Sequence, residues 1–221
     1  MLNRMGRLLA ERRADVGFTL VEMLVVMMLF AGILTVTYSV LATVQRQTAD
    51  TLAKSNDAAV ARLGLAQIDR QVRSGNVLYS PAGEAYDSST GSGTLGCTSA
   101  VAYAGNCMRV YTQSNGVERC VQWQVTSGGL LRSRSWSATW QTDDLVSPWQ
   151  TVAVHLVNTS ATPPFTLEGS TSSYGSRLVD VRLQVQSPGT RGPVTRITTS
   201  LSGRNTQYGY DPGVCSPVPP A

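Results

Sequence analysis

Gly17-Phe18-Thr19-Leu20-Val21-Glu22-Met23-Leu24-Val25 leads into a run of 27 residues, Phe18 to Val44, of which 21 are apolar or glycine. The exceptions are Thr19, Glu22, Thr35, Thr37, Ser39 and Thr43, and only Glu22 is charged. A helix of this length, rising about 1.5 Å per residue, measures roughly 40 Å and crosses a hydrocarbon core of about 30 Å with some tilt. No second run of this kind follows. The pattern predicts a single-pass protein with all its remaining mass on one side of a membrane. Ordinary secretory signals have an apolar core of about 7 to 15 residues and then a small-x-small cleavage site. This run is longer and no such site follows closely, so it reads as a retained anchor.

The residues ahead of the run carry Arg4, Arg7, Arg12 and Arg13 against Glu11 and Asp15. The positive-inside rule keeps that end in the cytoplasm and sends everything after Val44 across. The 221 residues hold 18 basic and 14 acidic side chains, a formal net charge of +4. Without the leader, 14 basic and 12 acidic remain, so half of the net charge belongs to the leader. The rest gives little electrostatic reason to expect nucleic acid or anionic lipid as a partner. Charged residues are 14% of the chain, against roughly 25% in an ordinary soluble protein. The mean hydropathy of −0.04 averages one very apolar stretch with a long polar remainder.

An ionisable residue inside a membrane helix costs a few kcal/mol on insertion scales, so Glu22 marks a function and calls for a partner. The stretch Gly17 to Val25 resembles the type III signal sequence of type IV pilins and type II secretion pseudopilins. The resemblance implies that a prepilin peptidase, an integral-membrane aspartic protease of the cytoplasmic face, cuts between Gly17 and Phe18 and then N-methylates Phe18. A residue without a side chain at Gly17 lets the protease approach the backbone closely. It also implies a fibre cored by such helices, in which Glu22 pairs with the amino group of Phe18 on a neighbouring subunit. Partners would be other pilins or pseudopilins and an inner-membrane assembly platform. Opposite charges about 4 Å apart at an effective dielectric near 20 attract by about 4 kcal/mol, comparable to the cost of burying the carboxylate. Such a pair sets axial register more than it adds stability. Many members of the superfamily carry a proline within the apolar segment. This sequence has none between Phe18 and Arg73, which leaves Gly32 as the weak point of the span.

Beyond Val44 the chain turns polar yet stays free of proline until Pro81. Ala58, Ala61, Leu65, Ile68 and Val72 fall on one helix face, while Asp57, Arg62, Asp69, Arg70 and Arg73 mostly lie elsewhere. One helix from about Phe18 to Arg73 is predicted, stopped by Gly75-Asn76 and packed through its second half on a head. Residues 77–94 contain Pro81, Gly83, Asp87, Ser88, Ser89, Gly91 and Gly93, the composition of an exposed loop. Val121, Trp123 and Val125 alternate with Gln122, Gln124 and Thr126, a half-buried strand. Ser127-Gly128-Gly129 turns, and Leu130 to Trp136 returns with Arg132 and Arg134 on one side. Val152, Val154 and Leu156 repeat the alternation, with His155 opposite them. Val179, Val181, Leu183 and Val185 do the same, and Val194, Ile197 and Leu201 outline a last strand. Pro188-Gly189 and Gly192-Pro193 fit the hairpin between the last two.

The expected organisation is a leader (1–17), an apolar helix (18–44), its amphipathic continuation (45–75) and a β-rich head (76–221). The fold class is α+β, a long N-terminal helix on an antiparallel β-sheet head, and this order resembles the type IV pilin fold. The Val121 to Trp136 hairpin and the stretches Asp180-Val181-Arg182-Leu183 and Leu201-Ser202-Gly203-Arg204-Asn205 are similar to PilW-like minor pilins and to the J-type pseudopilin of type II secretion. The pilus and secretion alternatives both remain open at this point.

Cys97, Cys107, Cys120 and Cys215 all fall on the translocated side, where disulfides form, and four cysteines allow three connectivities. Cys97 with Cys107 would close a glycine-rich loop, and Cys120 with Cys215 would tie a proline-rich tail to a strand. Their spacing suits a zinc site poorly. His155 is the single histidine, and no Gly-x-Ser-x-Gly, P-loop or HExxH pattern occurs. Asp143-Asp144 read as turn residues before Pro148. Neither a cofactor nor an enzymatic role is expected. Trp136, Trp140 and Trp149 beside Arg132 and Arg134 could stack nucleic-acid bases, but the same residues serve as strand core and hairpin rim, and the head has no strong basic surplus.

Overall fold

The computed structural model describes residues 17–113, 116–169, 175–189, 193–204 and 210–220. The basic leader residues Arg4, Arg7, Arg12 and Arg13 lie outside the described residues, as do Gly192 and Asn205. The chain divides into two units between Ala49 and Asp50, and one helix, α1 (Leu20–Arg73), contributes to both.

In the first unit, α1 is the one helix of the described residues long and apolar enough to cross a membrane. Its side chains from Leu20 to Leu41 are exposed. The hydroxyls of Thr35, Thr37, Ser39, Thr43 and Thr48 each donate to a backbone carbonyl three or four residues back, at 2.7 to 2.9 Å. These hydroxyls are thereby satisfied within the helix itself, as apolar surroundings would require.

In the second unit, the helix buries Asp57, Ala61, Gly64, Ile68 and Val72, the spacing of a single stripe. Asp57 thus lies on the packed face rather than on the polar side that its charge predicted. Leaving α1, the chain enters strand β1 (Gly75–Leu78) at once. A Cβ on Gly75 would sit 2.9 Å from the Val72 carbonyl oxygen and 2.8 Å from Val110 Cγ1. Glycine there permits the abrupt change from helix to strand, so Gly75-Asn76 is the start of a strand and more than a stop signal.

The remaining elements are β2 (Ala104–Gly105), β3 (Cys107–Thr112), β4 (Arg119–Val125), β5 (Leu131–Trp136), a four-residue helix α2 (Trp140–Asp143), β6 (Gln150–Ala153), β7 (Phe165–Leu167), β8 (Leu178–Val185) and β9 (Thr195–Ser202). They form two antiparallel sheets where the sequence suggested one: β1-β3-β4-β5-β6 and β2-β7-β8-β9. Ala61, Ile68 and Val72 of α1 share one apolar core with Met108, Val110, Val121, Trp123 and Leu131 of the first sheet and Phe165, Val179, Val181, Leu183 and Leu201 of the second. Each Val, Leu, Ile, Phe or Met side chain among them, fully buried, contributes about 1.5–3 kcal/mol. The alternation read in β8 holds, since Val179, Val181, Leu183 and Val185 are all buried.

Two strand readings need correction. β4 is buried on both faces, with Gln122 at 0% and Gln124 at 1% exposure, because segments outside the sheet cover its outer side. β6 ends at Ala153, so the alternation through Val154 and Leu156 does not continue: Val154 is exposed, Leu156 is buried and His155 takes a positive φ of 61°. The supposed loop 77–94 is also more ordered than its composition suggests. It begins within β1 and contains a 3-10 turn, Pro81–Glu84, whose Glu84 is buried.

Candidate functional site

Gly17, Phe18 and Thr19 precede the first helical residue, and Phe18 is 76% exposed. Thr19 starts the helix. Its carbonyl accepts from the Met23 N–H at 3.1 Å and its Oγ1 accepts from the Glu22 N–H at 3.3 Å. Thr19 and Glu22 are therefore the cap and third residue of a capping-box pattern, and the carboxylate lies where a helix N-terminus favours negative charge. Among the described residues Glu22 takes part in no ion pair. The structure thus places the sequence-predicted trio of Gly17, Phe18 and Glu22 within one exposed turn at the mouth of the apolar helix.

A second constellation lies on the outer face of the five-stranded sheet. Strand register sets three rows side by side: Tyr111, Cys120 and Trp136; Arg109, Gln122 and Arg134; Cys107, Gln124 and Arg132. Two segments cover these rows, and one disulfide fastens each. Cys97 bonds Cys107 and so roots the segment that follows Pro81, while Cys120 bonds Cys215 and roots the C-terminal tail. All four cysteines are engaged in these bonds.

Beneath the covers runs a polar network. Arg109 Nε lies 3.0 Å from Glu84 Oε1, and Gln122 Nε2 donates to Glu84 Oε2 at 2.7 Å and to Thr94 Oγ1 at 2.8 Å. Arg134 Nε donates to Gln122 Oε1 at 3.0 Å, and Arg132 Nε to Gln124 Oε1 at 2.7 Å. Burial pushes the Glu84 carboxyl above its ordinary value, with Arg109 and Gln122 pulling against that. Burial, helped by Arg132, lowers the Arg134 guanidinium to about 10, and Glu84 opposes the shift. A cleft of about 330 Å³ beside the network is lined by Gly83, Glu84, Gly93, Arg109, Pro217 and Val218 among others.

A third group ties α1 to the head. Asp57 Oδ2 lies 3.0 Å from His155 Nδ1 and accepts a short hydrogen bond from the Ser187 hydroxyl. Ser187 donates to the carboxylate, so the group is a clamp on the helix rather than a nucleophile and base in line. His155 belongs to this clamp, not to the face of a strand. The four-residue spacing between Asp57 and Ala61 was the available signal for it, outweighed by the expectation that a charge faces solvent.

The three tryptophans do not form an open platform. Trp136 is buried, Arg132 and Arg134 lie 4.5 and 4.7 Å above the Trp149 ring, and Trp140 Nε1 donates to the Pro217 carbonyl at 2.9 Å. Asp143 ends α2 and Asp144 takes its left-handed C-terminal position, in keeping with turn residues. Among the described residues no group of three or more potential ligands could hold a metal ion. Compared with known proteins, the chain matches no family model, no curated protein and no solved structure.

Proposed function

We propose that this chain is a prepilin-like structural subunit of the type IV filament superfamily, a minor pilin of the PilW-like kind. The observation that carries the reading is the junction. Gly17-Phe18-Thr19 stands ahead of α1, whose exposed apolar stretch begins with one carboxylate, Glu22. In this reading a prepilin peptidase removes the leader after Gly17 and methylates Phe18. The apolar part of α1 then passes from bilayer to fibre core, where Glu22 pairs with the Phe18 amine of a neighbour. The head stays outside the cytoplasm, where disulfides such as Cys97–Cys107 and Cys120–Cys215 persist. A long helix on an antiparallel head supports a pilin arrangement.

Intact-mass analysis with N-terminal sequencing tests the reading. The mature chain should begin at Phe18 carrying one added methyl group, and a strain lacking the peptidase should retain the leader. A mature chain that still begins at Met1 sinks the proposal.

A further inference from the structure

The end of the five-stranded sheet carries a second cleft, of about 380 Å³, that the polar network beneath the covers does not use. Trp136, the last residue of β5, pairs with Cys120 of β4 on one side and bridges Val146 on the other. Val117, Glu118 and Arg119 therefore line the cleft from the β4 side, and Asp144 and Leu145 from the segment after α2. Both sides are fixed before anything binds. Tyr111 Oη and Gln113 Nε2 each donate to the Glu118 carboxylate at 2.5 Å, and the Ser137 N–H donates to the Leu145 carbonyl at 3.0 Å. The Cys120–Cys215 bond braces the row that holds Trp136. A pre-formed site loses little conformational entropy when a ligand arrives.

Three features set the cleft apart from a gap in the packing. Val117 and Leu145 are 53% and 64% exposed, apolar surface that an occupant would remove from water. Trp136 is buried, yet its indole N–H meets no acceptor among the described residues, at a cost of about 1–3 kcal/mol. Trp123 and Trp140 both find acceptors, Gln71 Oε1 and the Pro217 carbonyl. Trp149 finds none, but it does not line the cleft. Lastly, Arg119 and Asp144 are exposed and enter no ion pair among the described residues. A guanidinium and a carboxylate thus stand ready at the same opening.

We infer that this cleft binds a short extended peptide of a partner protein, one that sets an apolar side chain against Val117 and Leu145 and a basic side chain against Glu118 and Asp144. The two carboxylates outnumber Arg119, which favours a cation over an anion beside them. The backbone carbonyls of a peptide suit the donors left over, the Arg119 guanidinium and the Trp136 N–H. A sugar fits less well, since the one ring lining the cleft, that of Trp136, is 1% exposed and offers no face for stacking. The volume falls at the small end of the about 300–1,000 Å³ common for ligand pockets, which suits a few residues of extended chain. The inference does not depend on the filament reading.

The test uses the full chain in detergent micelles and two labelled, end-blocked peptides, Gly-Leu-Arg-Leu-Gly and Gly-Leu-Glu-Leu-Gly, read by fluorescence anisotropy against empty micelles. The basic peptide should bind saturably and the acidic one at least fivefold more weakly, with the gap narrowing as salt is raised. Val117→Ser combined with Leu145→Ser should weaken the basic peptide at least tenfold. Both side chains are exposed, so the pair of changes leaves the core intact. Asp144→Asn should narrow the preference for the basic peptide, and asparagine tolerates the left-handed backbone of that position. No saturable binding of the basic peptide, or unchanged binding by the double serine variant, overturns the site. Equal binding of the two peptides overturns the basic partner, and displacement of the bound peptide by maltose overturns the peptide as ligand class.

Discussion

His155 Nδ1 lies 3.0 Å from Oδ2 of Asp57, a carboxylate 98 positions earlier on the buried face of α1. The same oxygen accepts from Ser187, so one carboxylate joins the helix to the turn after β6 and to the residues after β8. A buried carboxylate on a packing face is tolerated only because both donors meet it.

Asp57→Ala should therefore destabilise the head by about 1–3 kcal/mol, the cost of leaving buried donors unsatisfied. His155→Gln should cost less, because the imidazole is partly exposed. Denaturant unfolding of the full chain in micelles measures both. A double-mutant cycle should give a coupling of at least about 0.5 kcal/mol, and strict additivity would show that the two groups act independently.

The carboxyl of Glu84 yields a prediction about pH. Held above its ordinary value by burial, it binds a proton more tightly in the folded head than in the unfolded chain. Its stabilising contribution is complete below the unfolded value near 4.5 and is lost as pH rises through the raised folded value. Unfolding midpoints measured across that window should fall on this account as pH rises. Glu84→Gln, whose neutral amide stands in for the protonated carboxyl, should lie near the parent at the acid end of that window and give a flatter profile. A variant as steep as the parent would assign the pH dependence to another group.

The two disulfides differ in the chain they close, with sequence separations of 10 for Cys97–Cys107 and 95 for Cys120–Cys215. Chain entropy gives about 3 kcal/mol for the short loop and about 5 kcal/mol for the long one. Replacing Cys120 and Cys215 by serine should thus lower the unfolding midpoint more than replacing Cys97 and Cys107. The reverse order would mean that the glycine-rich segment, with Glu84 and Thr94 beneath it, depends on its staple more than the tail does.

Local patterns made much of this legible. The apolar run, the helix as far as Arg73 and the inward valines of β8 follow from periodicity alone, because each of those residues obeys its own surroundings. What periodicity could not show was burial imposed from far along the chain. Gln122 and Gln124 read as solvent-facing until Thr94, Leu95 and Glu84 arrive to accept their hydrogen bonds. Asp57 read as solvent-facing for the same reason, its partners lying 98 and 130 residues away. The adjacency of Gly17, Phe18 and Glu22 needs no fold to be seen, since they sit within six consecutive residues, while the contacts of the C-terminal segment join Arg109, Arg134 and Trp140 to residues 77 to 107 positions later.

The helix mouth allows a last separation of roles. Thr19 caps α1 through Oγ1, whereas Glu22 supplies charge. Thr19→Val removes the acceptor and should fray the first turn by about 1 kcal/mol of local stability, while leaving the carboxylate of Glu22 in place. Glu22→Gln keeps a capping-box side chain and removes the charge. If Glu22 serves assembly, the glutamine variant should be cleaved after Gly17 normally yet enter filaments several-fold less than the parent, and Thr19→Val should enter nearly as well as the parent. Mass analysis of the mature N-terminus and quantitation of sheared filaments measure the two steps separately. Equal impairment by both variants would assign Glu22 to the helix start alone.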